Sequence, residues 1–167
     1  MRELSPMKRL TKKLTWLTVV MFAILACRPG GSLASEDNIV TVKVEGNFHD
    51  VSASVRSAIN GKGLNIANVL HASDMLHRTG PAFGYSNNTY LDAETYEFCS
   101  ASISHKLARQ HPDNIVLCPF TISVYVVKDE PNMVRLSYRI PTGKPGSEEI
   151  VKEVVDLVKS IVDDATW

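Results

Sequence analysis

Two cysteines supply the side chains of this chain that are best suited to chemistry. Cys99 and Cys118 both lie in the segment 94–120, which also contains His105 and His111. A cysteine thiolate acts as a nucleophile, a redox group or a soft metal ligand. The spacing of the pair matches neither a C-x-x-C redox motif nor a zinc-binding motif. The two residues are therefore candidate catalytic groups whose chemical state the sequence leaves open.

The cysteine pair has three alternative states. Export to an oxidising compartment favours a disulfide, and so does the even number of cysteines that remains once Cys27 is removed with a leader segment. Two buried, inert thiols are the second alternative. In the third, Cys99 is a nucleophile at the point where a strand passes into a helix, whose N-terminus stabilises a thiolate. His105 then follows one to two turns later, and Cys118 is the resolving partner.

A second group of potential ligands lies in the irregular segment 71–89. His71, Met75 and His77, together with His105, offer the nitrogen and sulfur atoms that bind copper, zinc or haem iron. His71 and Met75 would share a helical face, whereas His77 would point elsewhere. The chain has no C-x-x-C-H or H-E-x-x-H motif. A haem or transition-metal cofactor is therefore a hypothesis, and a surface or hydrogen-bonded role is the alternative for each histidine.

The charged side chains give weaker signals of a site. Arg135 and Arg139 fall on one face of a strand, where they are candidates for holding an anionic ligand or form the polar side of an edge strand. Asp92, Glu94 and Glu97 are expected on a solvated face. No G-x-S-x-G motif indicates a serine hydrolase. Because no complete catalytic motif is present, a non-enzymatic protein is favoured.

The elements that must position these residues follow from the spacing of apolar side chains. Alternation of apolar and polar residues predicts five strands, at residues 40–44, 64–70, 95–99, 116–127 and 134–140. Helical spacing predicts three main helices, which follow Asp50, follow Ser100 or Ser102, and begin at Glu148. One or two further helical turns, capped by Ser73, are expected after His71.

The order of these elements, β-α-β-β-α-β-β-α, predicts an α+β fold. We expect a two-layer sandwich in which a mixed sheet of about five strands carries helices on one face. The last two strands are expected to form an antiparallel hairpin, because a short turn joins them. Whether the other face of the sheet contacts solvent or a second copy is open.

Residues 1–34 have the pattern of a secretory signal peptide. Lys8, Arg9, Lys12 and Lys13 precede an apolar run of about 13 residues, which is too short to span a bilayer, and small residues precede a cut expected after Ala34. Alternatively, the residues before Cys27 resemble a lipoprotein box, in which this cysteine is lipidated and anchors the protein to a membrane. Either alternative predicts an exported, periplasmic protein with a single domain over residues 35–167.

The charge of the predicted mature chain excludes one class of partner. The chain has 18 basic and 18 acidic residues, of which residues 1–34 contain six and one. The remainder therefore has 12 basic and 17 acidic residues, a net charge of −5. Because nucleic-acid binding requires a basic surface, we expect no nucleic-acid partner.

A set of short motifs resembles one family along most of the mature chain. The motifs are E-F-C-S-A at 97–101, D-N-I-V at 113–116, C-P-F at 118–120, V-Y at 124–125, L-S-Y-R at 136–139, D-M-L at 74–76 and R-T-G at 78–80. In combination, over about residues 40–162, they resemble domain of unknown function 302, in its exported two-cysteine subtype. The resemblance implies a small α/β sandwich that pairs into homodimers. It implies no established activity, and the exported members look like those of sulfur-oxidising or respiratory bacteria.

Three functions are compatible with these observations. The first is an accessory protein of the envelope or of sulfur and redox metabolism, in which the segment 71–90 and the Cys99–Cys118 unit border a pocket for a small ligand, haem or metal. The second is a thiol-based redox or sulfur-transfer enzyme that uses the two cysteines. The third is a dimeric structural module.

Overall fold

A five-stranded sheet forms the centre of the computed structural model, which describes residues 38–166. Its strands are β1 (Ile39–Glu45), β2 (Ile66–His71), β3 (Tyr90–Phe98), β4 (Phe120–Val127) and β5 (Met133–Arg139). Their order across the sheet is β1-β5-β4-β3-β2, and all four pairs of neighbours are antiparallel. The α+β sandwich is confirmed. The sheet is purely antiparallel, whereas a mixed sheet was predicted. β1 and β2 lie at opposite edges, so these two consecutive strands do not form a parallel pair.

The described residues also form four helices, of which the first three connect strands and the fourth follows β5. They are α1 (Phe48–Gly61), α2 (Ala72–Thr79), α3 (Ala101–Gln110) and α4 (Glu148–Ala165). Two short 3₁₀ helices, Gly80–Phe83 and Pro112–Leu117, precede β3 and β4. The predicted order of main elements is therefore confirmed, with α2 as an eight-residue helix where one or two turns were expected.

The core lies between one face of the sheet and the helices. In β4 and β5, every second residue is buried, among them Ile122, Val124 and Leu136. Val55 of α1 and Ile161 of α4 are fully buried in the same cluster. Each such side chain contributes about 1.5–3 kcal/mol relative to an exposed position. Burial therefore determines which residues of each strand must be apolar.

The other face of the sheet is rich in hydroxyl groups that bond to each other across strands. The Ser137 hydroxyl lies 2.7 Å from the Thr41 hydroxyl and 3.0 Å from that of Tyr125. α2 borders this face, because Leu76 lines a hollow there together with Ser123 and Ser137. The prediction that the helices lie on one face thus needs one correction, since α2 is at the edge of the opposite face.

Two helix caps differ from those predicted. α1 is capped by Asn47, whose Oδ1 accepts a hydrogen bond from the His49 amide at 2.8 Å, so Asp50 lies within the first turn. Ser73 does not cap α2. It is buried within the helix, and its hydroxyl donates to the Ala93 carbonyl at 3.5 Å. Ser100 caps α3, as one of the two predicted alternatives, by accepting from the Ile103 amide at 3.4 Å.

The strand predicted at 116–127 begins later, at Phe120. Pro112 starts the 3₁₀ helix that ends at Leu117, and His111 caps it by accepting from the Asp113 amide at 3.2 Å. The Cys118–Pro119 peptide bond is cis. Val116, which is 80% exposed, therefore belongs to this 3₁₀ helix at the surface and not to a strand. Apolar composition alone led to the wrong element.

The predicted signal peptide (1–34) and the lipidation site at Cys27 lie outside the described residues. Within residues 38–166, no helix combines the length and the apolar character needed to cross a membrane.

Buried Asn114 connects α3, the second 3₁₀ helix and the segment before α4. Its Nδ2 donates to the Leu107 carbonyl at 3.0 Å and to the Ser147 hydroxyl at 2.9 Å. Its Oδ1 accepts from the Lys144 amide at 2.9 Å. The side chain is 2% exposed, so a lost partner is not replaced by water. The position of α4 at the core therefore depends on this amide.

We predict that Asn114→Ala lowers the free energy of unfolding by about 2–3 kcal/mol, because it leaves buried polar groups without partners. Urea unfolding followed by circular dichroism measures the change. Asn60→Ala, at an exposed helical position, is the matched control and should change stability by less than about 0.5 kcal/mol. Equal stability of the two variants would contradict the structural role of Asn114.

Candidate functional site

A pocket of about 420 Å³ lies between α2 and the connection to β3. It is lined by apolar, aromatic and uncharged polar side chains, namely Met75, Leu76, His77, Thr79, Phe83, Tyr85, Asn87, Asn88, Thr89 and Tyr90. Its volume is in the range typical of small-molecule sites. The irregular segment singled out in the sequence thus forms a concave surface that includes Met75 and His77.

His77 is held at the wall of this pocket by the first residue of β3. Its Nε2 lies 2.9 Å from the Tyr90 carbonyl oxygen. Because a carbonyl oxygen only accepts hydrogen bonds, Nε2 of the neutral ring carries the proton. In that tautomer Nδ1 keeps its lone pair and is able to accept a hydrogen bond.

A tight turn presents two aromatic side chains at the rim of the pocket. Phe83 and Tyr85 are 74% and 71% exposed, which is unusual for large aromatic residues. The Tyr85 amide donates to the Gly80 carbonyl at 2.9 Å, and Gly84 has a positive φ of 80°. A Cβ at Gly80 would lie 3.0 Å from the Tyr85 carbonyl oxygen. The turn therefore depends on two glycines, which allow the aromatic side chains to remain at the rim.

His71 belongs to a different cluster, centred on Glu94. The two residues are directly opposite in the β2–β3 pair, with His71 Nδ1 3.2 Å from Glu94 Oε1. Glu94 Oε2 accepts hydrogen bonds from the Ser52 hydroxyl at 2.6 Å and the Tyr96 hydroxyl at 3.0 Å. The prediction that Glu94 lies on a solvated face is wrong, because its side chain is only 19% exposed.

The environment of Tyr96 keeps its hydroxyl protonated. Burial raises the pKa of Tyr96 above its usual value of 10.0, and the Glu94 carboxylate adds to the rise. The hydroxyl of Tyr96 also lies 2.6 Å from that of Ser52, while Arg56 is placed over the ring, 5.3 Å from its centroid. The sequence analysis did not identify Tyr96 or Ser52 as members of a cluster. The alternation of apolar and polar residues in β3 was the signal that indicated burial of Tyr96.

Cys99 and Cys118 form a disulfide in the structure, with an S–S distance of 2.04 Å and a Cα–Cα distance of 6.2 Å. Cys99 immediately precedes the cap of α3, and Cys118 follows the second 3₁₀ helix. Both residues are partly buried. The Ser104 hydroxyl donates to Cys118 Sγ at 3.7 Å. Of the three alternative states, the structure therefore contains the disulfide.

The disulfide and the loop pocket are at opposite ends of β3. Tyr90 begins this strand beside the pocket, and Cys99 directly follows its last residue. Nine residues of extended chain separate them by roughly 30 Å. The expectation that the two features border a single pocket is therefore wrong. His105, which is exposed on α3, belongs to the disulfide end of the domain.

The two arginines of β5 have different surroundings. Arg135 donates to Glu130 Oε2 at 2.9 Å, and Lys43 lies 3.2 Å from the same oxygen. The hydrogen bond from Arg135 lowers the pKa of the Glu130 carboxyl, and Glu130 in turn raises the pKa of Arg135. Arg139 is exposed at the end of the strand. Arg135 is thus engaged by an ion pair with Glu130, while its buried Nε has no hydrogen-bond partner among the described residues.

The candidate metal ligands are not assembled into one centre. Within residues 38–166, no group of three or more histidine, cysteine, aspartate or glutamate side chains is positioned to hold a metal ion. His71 contacts Glu94, His77 contacts Tyr90, and Met75 is 40% exposed on α2. These residues therefore divide between the Glu94 cluster and the loop pocket.

Comparisons with known proteins agree with the fold. The family model for a domain of unknown function, DUF302, matches residues 40–165. A crystal structure of an uncharacterised conserved DUF302 protein from Bacillus stearothermophilus is similar, with a TM-score of 0.65 at 13% identity. The alignment covers 77% of this chain and 98% of that chain. A search of curated proteins finds no match. At this identity the structural neighbour supports the fold alone.

We predict that Glu94→Ala lowers the free energy of unfolding by about 1–3 kcal/mol, because the hydroxyls of Ser52 and Tyr96 lose their charged acceptor. Chemical unfolding measures the change. Glu97→Ala serves as the control. Glu97 lies three residues further along β3, on the opposite face of the sheet, and the change removes an exposed contact to Asn68. A Glu94 variant as stable as the Glu97 variant would contradict the structural importance of the cluster.

We also predict that stability falls as the pH rises through the raised folded-state pKa of Tyr96. The folded state favours the protonated phenol, so the stabilisation is fully present below the unfolded-state pKa of about 10 and is lost above it. The free energy of unfolding, measured from about pH 8 to pH 11, should decline less steeply in Tyr96→Phe. Identical slopes in the wild type and this variant would contradict the assignment to Tyr96.

Proposed function

This chain belongs to the DUF302 family, and we propose that its domain is an exported, non-enzymatic module that binds a small, uncharged, partly aromatic ligand. The site is the pocket between α2 and Tyr90. The observation that carries the proposal is the aromatic rim of Phe83 and Tyr85 around a pocket of about 420 Å³. Export is supported by the signal-peptide pattern of residues 1–34.

The lining of the pocket supports an uncharged ligand. Its residues, all in the described part of the chain, include no aspartate, glutamate, lysine or arginine. An ionised ligand would lose water here without gaining an opposite charge, which is costly. An apolar or aromatic ligand gains by covering Phe83, Tyr85 and Leu76, which are exposed in the free protein.

A few polar groups determine how such a ligand is oriented. His77 Nδ1 of the neutral ring can accept a hydrogen bond from a ligand, and the side chains of Asn87, Asn88 and Thr89, which also line the pocket, can both donate and accept. A ligand with a ring and one donor group satisfies both halves of the site. This combination of an apolar surface and a few polar groups is typical of binding pockets.

The same lining distinguishes an organic ligand from haem. His77 and Met75 are residue types that bind haem iron, and both line the pocket. The two carboxylates of haem, however, would find no cationic partner among the lining residues. We therefore propose a neutral organic ligand as the occupant in preference to haem.

Titration with Nile red, a neutral aromatic dye, tests the proposal on the purified full chain. We predict saturable binding that Phe83→Ala weakens about tenfold, since the variant removes an aromatic contact worth about 1.4 kcal/mol. Val116→Ala is the matched control, because Val116 is also highly exposed but lies at the opposite end of the domain. Equal affinities of the two variants, or the absence of saturable binding, would contradict the proposal.

An optical spectrum of the protein as isolated separates the two ligand classes. A Soret band that is lost in His77→Ala would show that the pocket binds haem and would contradict the proposal of a neutral organic ligand.

The homodimer implied by the family resemblance stays a prediction, which light scattering after size-exclusion chromatography tests.

A further inference from the structure

We propose that the Cys99–Cys118 disulfide is an exchange site for an alkyl thiol, in which the thiol attacks Cys99 and Cys118 is the leaving group. This function goes beyond ligand binding in the loop pocket and is independent of it, because the two sites are roughly 30 Å apart along β3. The inference rests on the position of the disulfide, on the Ser104 hydroxyl and on the packing around the two cysteines.

The fold places both sulfur atoms at the positive end of α3. Cys99 is the residue before Ser100, the cap of this ten-residue helix. The S–S bond keeps Cys118 Sγ at the same helix end. Unpaired amide groups at a helix N-terminus favour negative charge, so a thiolate that forms here is stabilised. The helix thus favours opening of the disulfide, but it does not distinguish between the two sulfurs.

Ser104 distinguishes between them. Its hydroxyl donates to Cys118 Sγ at 3.7 Å from within the first turns of α3. A disulfide sulfur is a weak acceptor, whereas a thiolate accepts a charge-assisted hydrogen bond. The contact therefore strengthens as negative charge develops on Cys118, which is the condition for accelerating a reaction. Exchange is faster when the departing thiolate is better stabilised, so Cys118 is the preferred leaving group.

The fold does not depend on the disulfide to hold its two ends together. Phe98 and Phe120 are directly opposite in the β3–β4 pair, and their ring centroids are 6.2 Å apart. Each of these buried residues lies within two positions of one cysteine. Asn114 also connects the 3₁₀ helix to Leu107 of α3. The dithiol form therefore keeps its cysteines close, and the disulfide can close again.

The exchange is balanced with two molecules of thiol. The first thiolate forms a bond to Cys99 Sγ, and the electron pair of the Cys99–Cys118 bond leaves with Cys118 Sγ. A second thiolate then attacks the sulfur of the first thiol, and Cys99 Sγ leaves. Two thiols are oxidised to one disulfide, while the protein disulfide gains two electrons and the two protons that the thiols release.

Glutathione tests which sulfur is attacked. The oxidised full chain is exposed briefly to glutathione, quenched in acid and blocked with N-ethylmaleimide before peptide mass spectrometry. We expect glutathione on Cys99 and the maleimide on Cys118. Glutathione on Cys118 would overturn the assignment. A disulfide that resists glutathione in the folded protein, with neither label incorporated, would show a purely structural bond and overturn exchange itself.

The role of Ser104 is tested by the rate of the same reaction. We expect Ser104→Ala to slow the reduction about tenfold, which corresponds to the loss of one hydrogen bond to a charged group. Ser102→Ala is the matched control, because Ser102 is an exposed serine of the same helix turn. Circular dichroism checks that both variants remain folded. Equal rates for both variants would overturn the assignment of Ser104.

Discussion

The burial of one face of the sheet against α1 and α4 is the constraint on which the rest of the structure depends. Side chains of a strand alternate between two faces, so the burial of Ile122 and Val124 in the core places Ser123, between them, on the opposite face. Among residues 38–166, α2 borders that face at its edge, and the hydroxyl groups of the face bond to each other across the strands. The polar character of the open face is thus a consequence of the core.

The same alternation brings a carboxylate to the core side of the sheet. Glu94 is on the face of Tyr96, where it would be costly as an isolated charge. The hydroxyls of Ser52 and Tyr96 compensate its burial, and His71 at the edge strand allows one side of the cluster to reach solvent. The cluster connects α1, β2 and β3. It therefore belongs to the structural framework, and the surface between α2 and β3 remains available for a ligand.

β3 separates the two chemically distinct ends of the domain. At one end, a glycine-containing turn presents Phe83 and Tyr85 around an uncharged pocket. At the other end, the disulfide joins the start of α3 to the segment before β4. A rigid strand with neighbours on both sides keeps these ends apart. Recognition of a ligand and thiol chemistry would therefore occur as separate events on one scaffold.

Local periodicity alone predicted the α+β class, the hairpin of β4 and β5, and the amphipathic α4. The strand predicted at 116–127 is correct from Phe120 onwards, but its predicted start is wrong, because the apolar residues before Cys118 belong to a 3₁₀ helix at the surface. Only the tertiary structure decided the strand order and the contacts of Glu94. Ser52 is 42 residues from Glu94, and such contacts depend on how distant segments pack. The sequence identified His77 and the two cysteines as candidate ligands or reactive groups. Their positions at opposite ends of β3 result from the packing of the tertiary structure.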